Sequence, residues 1–140
     1  MSDARAVIDR LQLQPHPEGG WYRETWRGPP GPDGRAVATS ILFLLEAGQR
    51  SHWHRVDASE LWLFQAGAPL TLRTSWGEGV TETRLGGDPL AGDVQQAVVE
   101  PHEWQAAEAG RGWALVACVV APGFDFAGFE MAPPGWTPGA

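Results

Sequence analysis

From Gly20 onward, Gly and Pro cut the chain into short extended runs, and that punctuation limits its fold more than any other feature. β-Branched, aromatic and apolar residues mark strands at 20–27, 35–45, 51–56, 60–66, 70–75, 80–85, 95–99, 103–107 and 113–120, with a further one at 129–131. Between them lie Gly28-Pro-Pro-Gly-Pro-Asp-Gly34, Ala68-Pro69, Gly77-Glu-Gly79, Gly86-Gly-Asp-Pro89 and Ala109-Gly110, whose residues favour turns. Many short strands at this spacing build a sandwich or a closed barrel, not an alternating βαβ sheet. Only the start departs from the pattern. Residues 2–13 read as a helix with Val7, Ile8 and Leu11 on one face, Ser2 or Asp3 as its cap, and Pro15 and Pro17 beyond its end. The expectation is an all-β antiparallel domain spanning 1–140, preceded by one short helix and closed by a loose Pro- and Gly-rich tail at 133–140.

Composition removes several classes of function. A chain of 140 residues can bury a real core without staples. The single cysteine, Cys118, sits in the apolar run 113–120 and reads as a small buried hydrophobe, consistent with a reducing cytoplasm. No segment approaches the roughly 20 apolar residues that cross a bilayer. Asp3, Arg5, Asp9 and Arg10 occupy the place of a signal core, so a cytoplasmic protein with no membrane partner is expected. The net charge is −7 without any basic run, which argues against nucleic acid. All ten basic residues are Arg, so lysine Schiff-base and Walker-lysine chemistry are absent. Eight Trp provide large apolar surfaces suited to a ligand pocket or an interface.

The chemistry concentrates in Gly48-Gln-Arg-Ser-His52-Trp-His54-Arg-Val-Asp-Ala-Ser-Glu60-Leu-Trp62. Histidines at i and i+2 share a face only on an extended strand. A hairpin would place Glu60, which shares its own strand face with Trp62 and Phe64, opposite the pair. Two imidazoles and a carboxylate could then hold a divalent ion, or serve as a metal-free acid/base cluster. On the strand before them, alternation puts Tyr22, Glu24 and Trp26 on one face, with Arg23 and Arg27 on the other. Arg23 and Arg55 could meet an anionic ligand. His16 and His102 stand beside prolines as loop residues, and Asp125 reads as a turn cap.

This stretch resembles the first cupin motif: Gly, His-x-His, a Glu and a closing Gly. Glu60 follows His54 by six residues, where metal-binding cupins commonly use about four. Val98-Val-Glu-Pro-His-Glu-Trp104-Gln105-Ala-Ala resembles the second motif, with Gln105 in the place of the third His; a register anchored on Pro101 would put Ala106 there. His16-Pro-Glu-Gly-Gly-Trp-Tyr-Arg-Glu24 and Ala121-Pro-Gly-Phe-Asp-Phe-Ala-Gly-Phe-Glu130 extend the likeness to about 11–132. Together the four segments resemble one small single-domain cupin family of unknown function, similar in fold to the deoxysugar epimerases.

That resemblance implies a double-stranded β-helix (jelly-roll) barrel, a homodimer, and a small-molecule pocket within the barrel. As an isomerase or epimerase on a carbohydrate-like substrate, the chain would use His54 as base with help from Glu60. Tyr22 would take part in the chemistry, and His52, Gln105, Trp104, Trp62 and Glu24 would bind substrate. A metal-dependent oxygenase on His52, His54, Glu60 and Gln105 is the second reading, and a non-catalytic binding or sensor protein the third. No cofactor is expected. The amide of Gln105 is a poorer ligand than imidazole, so the metal set amounts to a weak divalent-ion site at most.

Overall fold

Helix α1 (Ala4–Leu11) forms where apolar residues recur at helical spacing, and it lays Ala4 and Ile8 against Leu44 and Leu115. It ends at Gln12, whose left-handed φ of 58° turns the chain into the first strand. Asp3 accepts from the Val7 amide through its backbone carbonyl, and its side chain makes no cap bond. The computed structural model describes residues 3–139, so the alternative cap, Ser2, lies outside the described residues.

The strands are β1 (Gln14–Pro15), β2 (Trp21–Arg27), β3 (Thr39–Leu45), β4 (Arg50–Val56), β5 (Ser59–Gly67) and β6 (Leu70–Ser75), followed by β7 (Thr81–Leu85), β8 (Gln96–Val99), β9 (Trp104–Ala109), β10 (Ala114–Ala121) and β11 (Phe129–Met131). They make two sheets, β1-β2-β3-β10-β5-β8 and β11-β4-β9-β6-β7, with every named pair antiparallel. This is the expected double-stranded β-helix with one short N-terminal helix. Between the sheets pack Phe43, Leu45, Trp62, Leu72, Leu85 and Val116. β3 is apolar on both faces because Phe43 and Leu45 enter that core while Leu44 lies under α1. The apolar run 41–45 is therefore largely covered within the chain.

Several expectations are corrected. The strand expected at 35–45 begins only at Thr39, because Pro30 and Ala36 bridge to each other in the loop before it. β1 was not foreseen; its Pro15 sits on the sheet edge, where a missing N–H costs no ladder bond. β4 and β5 do not form a hairpin. The turn at Asp57-Ala58 carries the chain from one sheet to the other, so His54 and Glu60 meet across the interior. The tail is not loose over its described length. The Trp136 ring lies 6.0 Å from that of Trp53 and 4.6 Å from that of Trp104, and Gly139 exchanges backbone bonds with Gly77 and Gly79 at 2.9 and 2.7 Å. Among the described residues, no helix is long and apolar enough to cross a membrane.

Candidate functional site

A β-bulge decides which residues reach the barrel interior. Along β4, Ser51 pairs with Ala107 and His54 with Gln105, so three steps on β4 match two on β9. The extra residue reverses the alternation. Ser51 and His54 point inward, and His52 turns to the outer face, where its Nε2 donates to the carbonyls of Ala132 and Pro133, each at 3.0 Å. The expected sharing of one face by His52 and His54 is thereby overturned. The freed His52 carbonyl accepts from His54 Nδ1 at 2.9 Å, which fixes the imidazole.

The bulge also seats a loop. The His52 amide donates to the Glu18 carbonyl at 2.8 Å, pinning 16–20 against β4. Gly19 has φ 106°, and a Cβ there would lie 2.6 Å from the Arg50 carbonyl oxygen, so only glycine allows this approach. The Glu18 carboxylate thus enters the interior and accepts from His54 Nε2 at 2.8 Å. Burial pushes the His54 pKa down, but the Glu18 charge and hydrogen bond, the Glu60 charge and the His52 carbonyl outweigh it and raise the pKa to about 9. His54 is an imidazolium at neutral pH. His16, from the same loop, accepts from the Glu18 amide through Nδ1 at 3.1 Å; burial lowers its pKa, and its ring stands edge-on to Tyr22 at 4.5 Å.

Glu60 arrives from β5 on the opposite sheet. Its Oε1 accepts from Gln105 Nε2 at 2.9 Å, and the Cys118 thiol bonds it as well. Trp62 Nε1 donates to Gln105 Oε1 at 2.8 Å, so the amide must present its NH2 to Glu60. Burial raises the Glu60 pKa most, partly offset by the His54 charge, and brings it to about 7. Burial and the Glu60 charge push the Cys118 thiol up, so Cys118 is buried and protonated.

These groups form the floor of a cavity of about 550 Å³. Tyr22 and Glu24 line it as expected for one strand face. A second bulge, between Glu24 and Trp26, then puts Arg27 in the cavity and leaves Trp26 half exposed, the reverse of simple alternation. Phe124, Phe126 and Phe129 pack edge to face along another wall. Glu18 and His16 are site residues that the sequence did not single out, and so is Arg35, which lines the cavity and is clamped by Asp57. Asp125 does cap the turn Phe126–Gly128, accepting from the Ala127 amide at 3.1 Å, and also lines the cavity.

Other candidates stand elsewhere. Gln105 faces His54 in register, which removes the Ala106 alternative, but it is fully buried behind Glu60. Trp62 is core. Trp104 packs on the outer face with Trp53 and Trp136, with the Arg55 guanidinium 4.4 Å from its ring. Arg55 also bonds Glu130 at 2.9 Å, so it is engaged outside the cavity.

The set His52, His54, Glu60 and Gln105 does not fit a metal. His52 faces outward, both His54 nitrogens are hydrogen-bonded, and the Gln105 oxygen is turned to Trp62. Among the described residues no group of three or more His, Cys, Asp or Glu is arranged to hold one.

The family model described as Cupin superfamily (DUF985) matches residues 5–132. A Shewanella oneidensis protein of solved structure is 38% identical, with 94% of this chain and 85% of that chain covered and a TM-score of 0.87. A hypothetical protein from Leishmania major is 31% identical, covering 92% and 86%, with a TM-score of 0.82. An uncharacterised double-stranded β-helix protein from Klebsiella pneumoniae is 18% identical over 90% and 94%, with a TM-score of 0.62, and supports the fold alone. No curated protein matches.

Proposed function

The chain belongs to the DUF985 family of the cupin superfamily, and we propose that its barrel cavity is a metal-free isomerase or epimerase site for a small polar molecule. One observation carries the reading: a buried carboxyl group, Glu60, has its pKa raised to about 7 at the floor of a cavity large enough for a sugar-sized ligand. Epimerisation removes a carbon-bound proton and returns it, so the group involved must act as base and then as acid near ambient pH. A carboxyl with a pKa near 7 meets both demands.

His54 takes a different role from the one expected of it. A general base must be unprotonated, and the ion pair with Glu18 keeps His54 charged. Its positive charge beside Glu60 favours negative charge developing on the substrate. Tyr22 and neutral His16, on the neighbouring wall, orient the ligand through their polar edges.

Incubation in D2O with a panel of aldoses, ketoses and amino sugars tests this by NMR. Deuterium should enter the substrate at carbon with the wild type and fail to enter with Glu60→Gln. Absence of exchange across the panel, with a ligand retained in native mass spectrometry, would leave binding without turnover. That second reading draws on the floor itself, where His54, Glu60 and Gln105 are held by hydrogen bonds within the protein, as a fixed binding surface requires. We also take the protein as a homodimer, since paired Leu61 and Val98 expose apolar surface on the outer face of the six-stranded sheet. Sedimentation as a monomer at micromolar concentration would remove that part.

A further inference from the structure

The cavity's charges do not balance. On the floor, Glu18 answers the His54 cation by a direct bond; Glu60 feels that charge as well, but its own hydrogen-bond partners among the described residues, Gln105 and Cys118, are uncharged. On the side wall, Arg27 is held by Glu24 through bonds of 2.8 and 3.3 Å. On another part of the lining, Asp57 grips Arg35 with two bonds of 3.0 and 2.8 Å, while Asp125 and Asp33 also lie within its field. One guanidinium there faces three carboxylates. Each cation lining the cavity is thus engaged by a carboxylate of the protein, and Glu60 and Asp125 are left over.

An anionic ligand would find every guanidinium taken and would meet surplus negative charge. A cation would find the reverse. Glu60, with its pKa raised to about 7 by burial, is about half ionised at neutral pH, and an incoming cation favours its charged form, as an opposite charge does for any buried carboxyl group. A charge–charge interaction strengthens as the surroundings become less polar, so the carboxylate formed on this buried floor discriminates more than one in water. The aromatic wall acts in the same direction. Phe124, Phe126 and Phe129 lie 4.8 to 5.9 Å apart, and Phe129 continues to within 5.5 Å of the His54 ring, so aromatic surface runs from the exposed Phe126 to the floor. Aromatic faces attract ammonium groups and offer nothing comparable to phosphate or carboxylate.

We propose that the ligand of this cavity is a sugar-sized molecule bearing a protonated amine, received by the phenylalanine wall and by the carboxylates of Glu60 and Asp125. The inference rests on the proposed reading of the cavity as a ligand site and adds the charge class of what enters it.

Calorimetry at pH 7 with matched amine, hydroxyl and phosphate derivatives of hexose, pentose and cyclic-polyol frames tests it. Glucosamine, glucose and glucose 6-phosphate form one such triplet. The amine of at least one frame should bind about tenfold or more tightly than its hydroxyl counterpart, and the phosphate should not bind. Asp125→Asn and Glu60→Gln, each checked for native circular dichroism, should reduce that preference, and added salt should weaken it. Equal binding of amine and hydroxyl, or tighter binding of phosphate, would overturn the inference. Binding by no member would overturn both the inference and the proposed function. The deuterium-exchange assay on the same panel separates them. Amine preference without exchange removes the isomerase reading alone, and exchange confined to neutral or anionic members removes the amine alone.

Discussion

Glu18 and His54 form a sealed ion pair: Nε2 donates to Oε2 at 2.8 Å, with the side chains only 7% and 4% exposed. Glu18→Gln removes the counter-charge and leaves the imidazolium buried. Breaking such a pair from one side costs about 3–5 kcal/mol, less whatever His54 recovers by losing its proton. The variant should unfold at lower urea, and its His54 resonance should titrate well below the wild-type position near pH 9. An unchanged His54 titration would show that the Glu18 carboxylate is not its partner.

The pH dependence of stability follows from two raised values. Glu60 moves from 4.5 to about 7 because burial disfavours its charge. His54 moves from 6.5 to about 9 because Glu18 and Glu60 outweigh burial. In both cases the native state holds the proton more tightly than the unfolded chain. Each contribution is complete below the unfolded pKa and is lost as pH rises through the folded one. The windows are 4.5 to about 7 for Glu60 and 6.5 to about 9 for His54. Glu60→Gln removes the first titration. Wild type minus Glu60→Gln should therefore fall by on the order of 3 kcal/mol between pH 4 and pH 8, measured by urea unfolding. A difference that rises with pH would contradict the raised value.

Strand positions were legible because Gly and Pro end strands locally; β6 and β11 fall where the pattern put them, to the residue. Residue facing was less legible. The bulges after Ser51 and after Glu24 carry no obligatory sequence mark, yet each inverts every side chain beyond it. Alternation therefore grouped His52 with His54, and Trp26 with Tyr22. Glu18 was hidden for another reason. Its partner is 36 positions away, and the contact depends on the His52 amide and on Gly19 fitting under Arg50, which are tertiary events. Gln105 opposite His54 was legible only as one of two registers, the other putting Ala106 there, and the pairing of β4 with β9 decides for Gln105.

Gln105 ties two sheets through polar groups that cannot reach water. Gln105→Leu keeps the approximate volume but strands the Trp62 N–H and one Glu60 oxygen. Each orphaned buried group costs about 1–3 kcal/mol, so the loss should exceed that of an ordinary hydrogen bond. Trp62→Phe combined with Gln105→Leu should cost less than the two single changes added, because the stranded N–H is gone. Strict additivity in urea unfolding would show that the Trp62–Gln105 bond contributes nothing.

The two histidines of the His-x-His pair should separate completely in their effects. His54 is 3% exposed, charged, bonded at both nitrogens and part of the cavity floor. His54→Ala should abolish ligand binding and destabilise the fold, because it leaves Glu18 buried without a partner. His52 lies across the bulge, and its Nε2 donates one hydrogen bond shared between the carbonyls of Ala132 and Pro133, at the start of the tail. His52→Ala should cost about 1 kcal/mol, as one hydrogen bond is lost, and should leave binding in the barrel cavity unchanged. Its effect should appear at Trp136, which His52 helps hold against Trp53 and Trp104 by anchoring the preceding residues. Faster hydrogen exchange around the Ala132 amide, whose bond goes to the Trp53 carbonyl at 3.0 Å, is the expected signature. If His52→Ala instead weakened ligand binding as much as His54→Ala, both side chains would have to enter the barrel. β4 would then run without its bulge, and the position of Glu18 beside His54 would fall with it.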